Sequence, residues 1–290
     1  MAAAVGCRGD VRDHLASGDE LLGSDRPEAA MAEYQVALRK RGEEPDILLR
    51  LAHGYARLDR LDEAAEYYSR LLAVDSSYAD QASADFLLMG RRALERDDRA
   101  GLARALEQLE TVRPGGVPDD LALPFARYYY ELAEYAEALP FYLAVHTPDS
   151  SSVEPQVHYE LGRVYRELGE CGHALARFLD YLEVRRRGSL AADARWHAGH
   201  CTYELAEADR AAGRPALALE RLELLIELQA PQSLLDDAWF ERGEILFTLG
   251  EFEEALVSYE RVLDLNPSRT GRRVRLAEDR IRSIRYRGTP

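Results

Sequence analysis

The stretch His158–Leu182, HYELGRVYRELGECGHALARFLDYL, has a near-copy in Trp239–Pro267, WFERGEILFTLGEFEEALVSYERVLDLNP. Laying one on the other sets Gly162 over Gly243, Gly169 over Gly250, Ala174 over Ala255 and Phe178 over Tyr259. Working outward, a small or aliphatic anchor followed four positions later by an aromatic or large aliphatic residue recurs as Ala30/Tyr34, Ala64/Tyr68, Leu102/Leu106, Ala138/Tyr142, Ala174/Phe178, Ala218/Leu222 and Ala255/Tyr259. Residues four apart share one helix face, so each pair predicts a helix with one apolar side. Successive anchors lie 34, 38, 36, 36, 44 and 37 residues apart. The long fifth gap places an extra stretch, Ala206 to Arg214, between the two helices of the sixth unit.

This phase of glycine, alanine and aromatic resembles the tetratricopeptide (TPR) repeat, a helix-turn-helix unit of about 34 residues. The resemblance covers roughly Val11 to Pro267; it is strongest in repeats five and seven and weakest in three and six. It implies an all-α, right-handed superhelical solenoid of about seven TPR repeats. Alanine marks the crossing of each helix pair, with Gly162, Gly199 or Gly243 opposite, and each repeat covers its neighbour's apolar face. Gly169 and Gly250 fall where a first helix stops, and Pro267 ends the last full repeat. The chain divides into an N-terminal segment (1–10), the solenoid (11–267) and a basic C-terminal capping helix and tail (268–290).

The net charge of −15 is unevenly placed. Eight arginines against Glu278 and Asp279 give residues 268–290 a charge of +6, which leaves −21 on the rest. A body that acidic repels nucleic acid. Val274, Ala277, Ile281 and Ile284 recur at helical spacing in the basic tail, which predicts a helix covering the open face of repeat seven. Its arginines then face water, anionic lipid or an acidic partner. No apolar run approaches the ~18 residues of a membrane span.

Ala4-Val5-Gly6-Cys7 resembles the lipobox of bacterial lipoproteins, which implies acylation of Cys7, but the charged and apolar segments that precede a lipobox are absent here. Cys171 and Cys201 fall at positions buried in the repeat register and read as small apolar packing. His197 and His200 share a helix face beside Cys201, yet no third ligand stands at diagnostic spacing, and they read as structural. Cys171-Gly172-His173 is not spaced for nucleophile activation. There is no phosphate-binding glycine motif, and the acids cluster on second-helix faces. The sequence points to no enzyme, no cofactor and no metal.

In the family, four positions of each first helix face a concave groove. Carried onto this sequence, they are Arg91 in repeat three, Arg127 and Tyr130 in four, and Tyr159, Arg163 and Arg166 in five. Repeats six and seven supply Trp196, His200 and Tyr203, then Phe240, Glu244 and Phe247. Arginine forks suit carboxylates and aromatic rings give stiff contact area, so the expected partner is a protein or peptide segment with acidic and apolar or aromatic residues. With Asn266 its sole asparagine, the chain does not carry the asparagine-lined clamp of chaperone-binding TPR domains. The resemblance implies a non-enzymatic scaffold. Cys7 suggests a bacterial envelope lipoprotein on the extracytoplasmic side; the alternative is a cytoplasmic adaptor using the same groove.

Overall fold

The structure, a computed structural model, describes residues 8–145 and 154–286. Among them every regular element is helical, with no strand. Two compact units follow one another, Met1–Leu132 and Ala133–Pro290. The first contains α1 (Arg8–Gly23), α2 (Pro27–Arg41), α3 (Pro45–Arg57), α4 (Leu61–Val74), α5 (Ala79–Glu95), α6 (Arg99–Val112) and α7 (Asp119–Glu131). The second contains α8 (Tyr135–Val145), α9 (Pro155–Glu167), α10 (Cys171–Val184), α11 (Ser189–Ala211), α12 (Pro215–Leu228), α13 (Leu235–Leu249), α14 (Phe252–Leu265) and α15 (Arg272–Tyr286). Helices pack in consecutive pairs: α1 with α2, α3 with α4 and α5 with α6 in the first unit, then α9 with α10, α11 with α12 and α13 with α14 in the second.

The anchors are the core. Ala30, Ala64, Leu102, Ala138, Ala174, Ala218 and Ala255 are all fully buried, and the bulky residue four later is at most 2 % exposed in every case. Burying such a side chain contributes about 1.5–3 kcal/mol, and its seat requires a small residue on the facing helix. A Cβ at Gly162 would come within 2.8 Å of the Phe178 ring, and one at Gly243 within 2.7 Å of Tyr259.

A second periodic feature is in the backbone. Five positions before each anchor stands a residue with positive φ: Asp25, Asp59, Asp97, Ala133, Gly169, Gly213 and Gly250. Within each unit this left-handed residue reverses the chain between paired helices. At Gly250, with φ 88°, the N–H returns to the carbonyls of Leu246 and Phe247 and closes the end of α13.

The sixth repeat differs from its sequence reading. The extra residues form no loop between helices; α11 runs unbroken through 23 residues to Ala211, and the turn comes at Gly213. Seven residues make almost two full helical turns, so lengthening α11 by that amount keeps its apolar face in phase. Ala206 then packs in one core cluster with Ala218 and Leu222. Gly199 faces elsewhere: a Cβ there would lie 1.8 Å from the Ala230 carbonyl oxygen, beyond the end of α12.

The C-terminal helix is a cap. Helix α15 packs on α13 and α14 and buries Val274, Ala277 and Ile281. Its arginines turn in part onto the acidic body, Arg273 onto Asp237 and Arg285 onto Glu260.

Candidate functional site

The residue just after the small crossing position of a first helix lies against the neighbouring first helix, and the structure spends it on a rung between the two. Asp19 of α1 accepts a two-pronged hydrogen bond from Arg50 of α3, at 2.9 and 3.0 Å. His53 of α3 places Nδ1 2.8 Å from Asp85 of α5. Arg91 of α5 meets Asp120 of α7 at 3.2 Å. Arg163 of α9 lies 3.9 Å from Asp193 of α11. Glu244 of α13 accepts a fork from Arg280 of α15, both bonds at 2.7 Å. The polarity is acid to base in the first and last of these and base to acid in the three between, but the connection repeats, and α15 enters it as an eighth first helix.

Tyrosines of the anchor pattern complete these rungs. A hydroxyl carried into the core on a buried ring must find a partner, and each does so on a first-helix carboxylate. Tyr34 donates to Asp19 at 2.7 Å, Tyr68 to Asp85, Tyr142 to Glu160 at 3.2 Å and Tyr259 to Glu244 at 2.6 Å. Burial and the adjoining carboxylates push the Tyr34, Tyr68 and Tyr259 hydroxyls far above the usual phenol range. Burial pushes Asp19 and Glu244 up, but hydrogen bonds from arginine and tyrosine outweigh it and hold both below their ordinary values.

The groove residues expected from sequence do not form one surface. Arg91, Arg163 and Glu244 are rungs, already matched by carboxylate or guanidinium. Tyr159 and Phe240 are wedged between helices: Tyr159 packs on Phe178 and Tyr181 and donates to Asp193 at 2.6 Å, and Phe240 lies under Arg273 and against Tyr259. Phe247, half-buried, is covered by the Arg280 guanidinium 4.8 Å from its centroid. Arg127 and Tyr130 are half-buried on α7 in the first unit.

What the second unit brings together on α9 and α11 is Arg166, Trp196, His200 and Tyr203. Arg166 reaches across to Glu204 with bonds of 3.1 and 2.7 Å. Burial raises Glu204, yet the bonds from Cys171 and Arg166 leave it below its ordinary value. Trp196 is 46 % exposed, its ring centroid 4.1 Å from that of His200. Burial, with Arg166 nearby, pushes His200 down from 6.5, so its imidazole is neutral at pH 7. Tyr203, half-buried, has its hydroxyl pushed up to about 12 by burial and surrounding acids.

The sequence reading missed some of the carboxylates. The ones missed are Asp193 and Glu204, whose signal was an opposite charge 30 or 38 residues on; Glu167, one turn along α9 and readable as a partner of the cluster, does meet Arg163, at 3.3 Å. The sequence reading also missed Glu207 and Arg210, which follow Ala206 as Arg163 and Arg166 follow Gly162; Arg210 pairs with Glu241 of α13 at 3.1 Å.

Two family profiles match the chain, both described as tetratricopeptide repeat, over residues 15–82 and 236–269. They cover the first two repeats of the anchor pattern and the seventh. This is a TPR protein. No curated protein matches it. Among solved structures, the TPR protein is similar to the C-terminal part of a TPR repeat-containing protein from Cytophaga hutchinsonii, with 20 % identity, coverage of 91 % of this chain and 98 % of that one, and a TM-score of 0.36. A TPR repeats protein from Bacteroides fragilis matches with 12 % identity, 70 % and 98 % coverage and a TM-score of 0.44. YrrB, described as a TPR protein with an unusual peptide-binding site, matches with 20 % identity, 69 % and 94 % coverage and a TM-score of 0.32.

Within the TPR protein's sixth repeat, the two histidines on one helix face go to different neighbours. His197 stacks on Phe178 with its Nε2 3.3 Å from Asp193, while His200 packs on Trp196. The described residues hold no group of three or more His, Cys, Asp and Glu arranged for a metal. Cys7, the lipidation candidate, lies outside the described residues.

Proposed function

We propose that this TPR protein is a binding scaffold whose second unit engages a protein segment on the first-helix face formed by Arg166, Trp196, His200 and Tyr203. The observation that carries this is Trp196, 46 % exposed on α11 with the His200 ring against it; the longer α11 gives the place of the buried Tyr159 and Phe240 to Tyr203, three residues before Ala206, and leaves Trp196 at the surface seven residues earlier. A large aromatic at a surface, backed by a second ring, is the side chain that most often anchors an interface. The rungs favour an aromatic or apolar anchor over an acidic one, because a ligand carboxylate competes with Glu204 for Arg166. A segment with one aromatic residue and a nearby acid satisfies both.

The test is selection from a defined peptide library against the purified protein, followed by titration of the best binders against Trp196→Ala. Loss of ten-fold or more in affinity, with unchanged helical content, supports this face. Equal affinity in the variant removes Trp196 from the site and with it this reading.

Anchoring through Cys7 belongs to the same proposal, on the strength of the Ala4-Val5-Gly6-Cys7 context. An acylated Cys7 in protein recovered from its own cells supports an extracytoplasmic envelope scaffold. An unmodified chain retaining Met1 turns the reading to a cytoplasmic adaptor.

A further inference from the structure

We propose that Cys171 and Cys201 are an oxidation site, forming a disulfide that staples the start of α10 to the middle of α11. Cys171 opens α10 directly after the Gly169 turn, and Cys201 belongs to the first helix of the next repeat. In the core of the second unit they meet side by side, the Cys171 thiol donating to Cys201 Sγ across 2.6 Å. A disulfide needs about 2.05 Å, so bonding asks for about half an ångström of approach. Since α10 and α11 already pack together, side-chain rotation supplies that approach without moving a helix.

The surroundings define how the bond forms. Glu204 Oε2, 3.2 Å from Cys171 Sγ, is the alternative acceptor for its one proton, and Arg166 Nη1 donates to the same sulfur at 3.2 Å. Burial pushes both thiols up, so the pair rests protonated. Cys171 is 7 % exposed and Cys201 fully buried, which admits a small uncharged oxidant and excludes a bulky disulfide. Hydrogen peroxide has that size and charge.

As Cys171 Sγ, beside the Arg166 guanidinium, attacks one peroxide oxygen, its proton passes through Glu204 Oε2 in the same step. The O–O bond breaks, and the leaving hydroxide recovers the proton from Glu204 as water, leaving Cys171 as a sulfenic acid. Cys201 Sγ then attacks Cys171 Sγ; the S–S bond forms, the S–O bond breaks, and hydroxide departs with the Cys201 proton as a second water. Two thiols and one peroxide give one disulfide and two waters. Glu204 thereby loses Cys171 as an alternative donor and keeps only the Arg166 fork, which ties α9 to α11 beside His200.

Wild-type protein treated with hydrogen peroxide, unfolded in an alkylating agent and digested, should yield one cross-linked pair joining the Cys171 and Cys201 peptides. Its melting temperature should rise by roughly 5 °C, since the bond closes a loop of about thirty residues, and fall back on reduction with dithiothreitol. Cys171→Ser and Cys201→Ser should each abolish the cross-link and the shift. Alkylation of both thiols after peroxide, a sulfinic acid on Cys171 with Cys201 free, or a bond to Cys7 instead would overturn the assignment. A cross-linked protein with an unchanged melting temperature would overturn the stapling role. Peptide mapping uses wild-type protein alone, so a variant that fails to fold leaves the decision intact.

Discussion

Glu244 stands where three helices meet, accepting from Arg280 of α15 and from Tyr259 of α14. Those bonds hold it below the ordinary glutamate value of 4.5. Below about pH 4.5 the unfolded chain therefore takes up a proton that the folded Glu244 resists, and stability falls as pH falls through the folded value. Glu244→Gln should melt lower than wild type at pH 7, by about 1 kcal/mol in stability because Arg280 is partly exposed. It should also lose less than wild type between about pH 5 and pH 3. Thermal melts across that range check the prediction, and parallel slopes would count against the triad. Gly162 gives a second case. A methyl group there improves helix propensity by ~1 kcal/mol but lies 2.8 Å from the buried Phe178 ring. Overpacking of about 1–3 kcal/mol wins, so Gly162→Ala should lower the melting temperature. The common phase of glycine, alanine and aromatic was legible in the sequence because all three belong to one repeat, but that reading set the glycine against alanine, and the structure sets it against the ring. The charge rungs were not, because each joins residues from neighbouring repeats and their polarity is not the same along the chain.

The turn between paired helices is the most regular element of the chain, yet its residue varies: aspartate in the first three repeats, alanine in the fourth, glycine in the last three. Aspartate tolerates the left-handed region and glycine enters it freely, but alanine is strained there by about 1–2 kcal/mol. Ala133, at φ 59°, is thus the weak turn. Ala133→Gly should stabilise by about 0.5–1 kcal/mol, the relief of strain being partly offset by greater freedom of the unfolded chain. Gly250→Ala should cost about 1 kcal/mol. Opposite signs in paired denaturant melts confirm the register; equal signs reject it. Sequence reading found the turns at Gly169 and Gly250, where glycine itself was the signal. It misplaced the extra residues of the sixth repeat, since Ala206–Ala211 is as compatible with a helix as with a connection. What decides is tertiary: a two-turn extension keeps Ala206 facing Ala218, and a loop would leave that alanine unpaired.

Across the whole molecule, charge and repetition answer the same question of how an open-ended stack of helices finishes. A terminal repeat exposes an apolar face unless something polar covers it. Here the cover is α15, whose inner side supplies Val274, Ala277 and Ile281. Its arginines lie over the rings of Phe240 and Phe247 and reach Asp237, Glu244 and Glu260. Part of the basic charge of residues 268–290 is thus set against acids of α13 and α14, which orients the cap on them while its apolar side holds it. The exposed ion pairs set orientation and contribute little each, while the buried Val274 and Ile281 contribute about 1.5–3 kcal/mol apiece. A chain ending at Pro267 should therefore lose several kcal/mol from repeat seven and present Phe240 and Phe247 to solvent. Its melting temperature should drop, and it should self-associate in size-exclusion chromatography through the uncovered face of α13 and α14. High salt should not restore the loss, because the larger share is apolar. Replacing Val274 and Ile281 by serine in the full chain should reproduce most of the drop while keeping every arginine. If that variant melts like wild type while the truncated chain does not, the cap is held by charge and the apolar account of α15 fails.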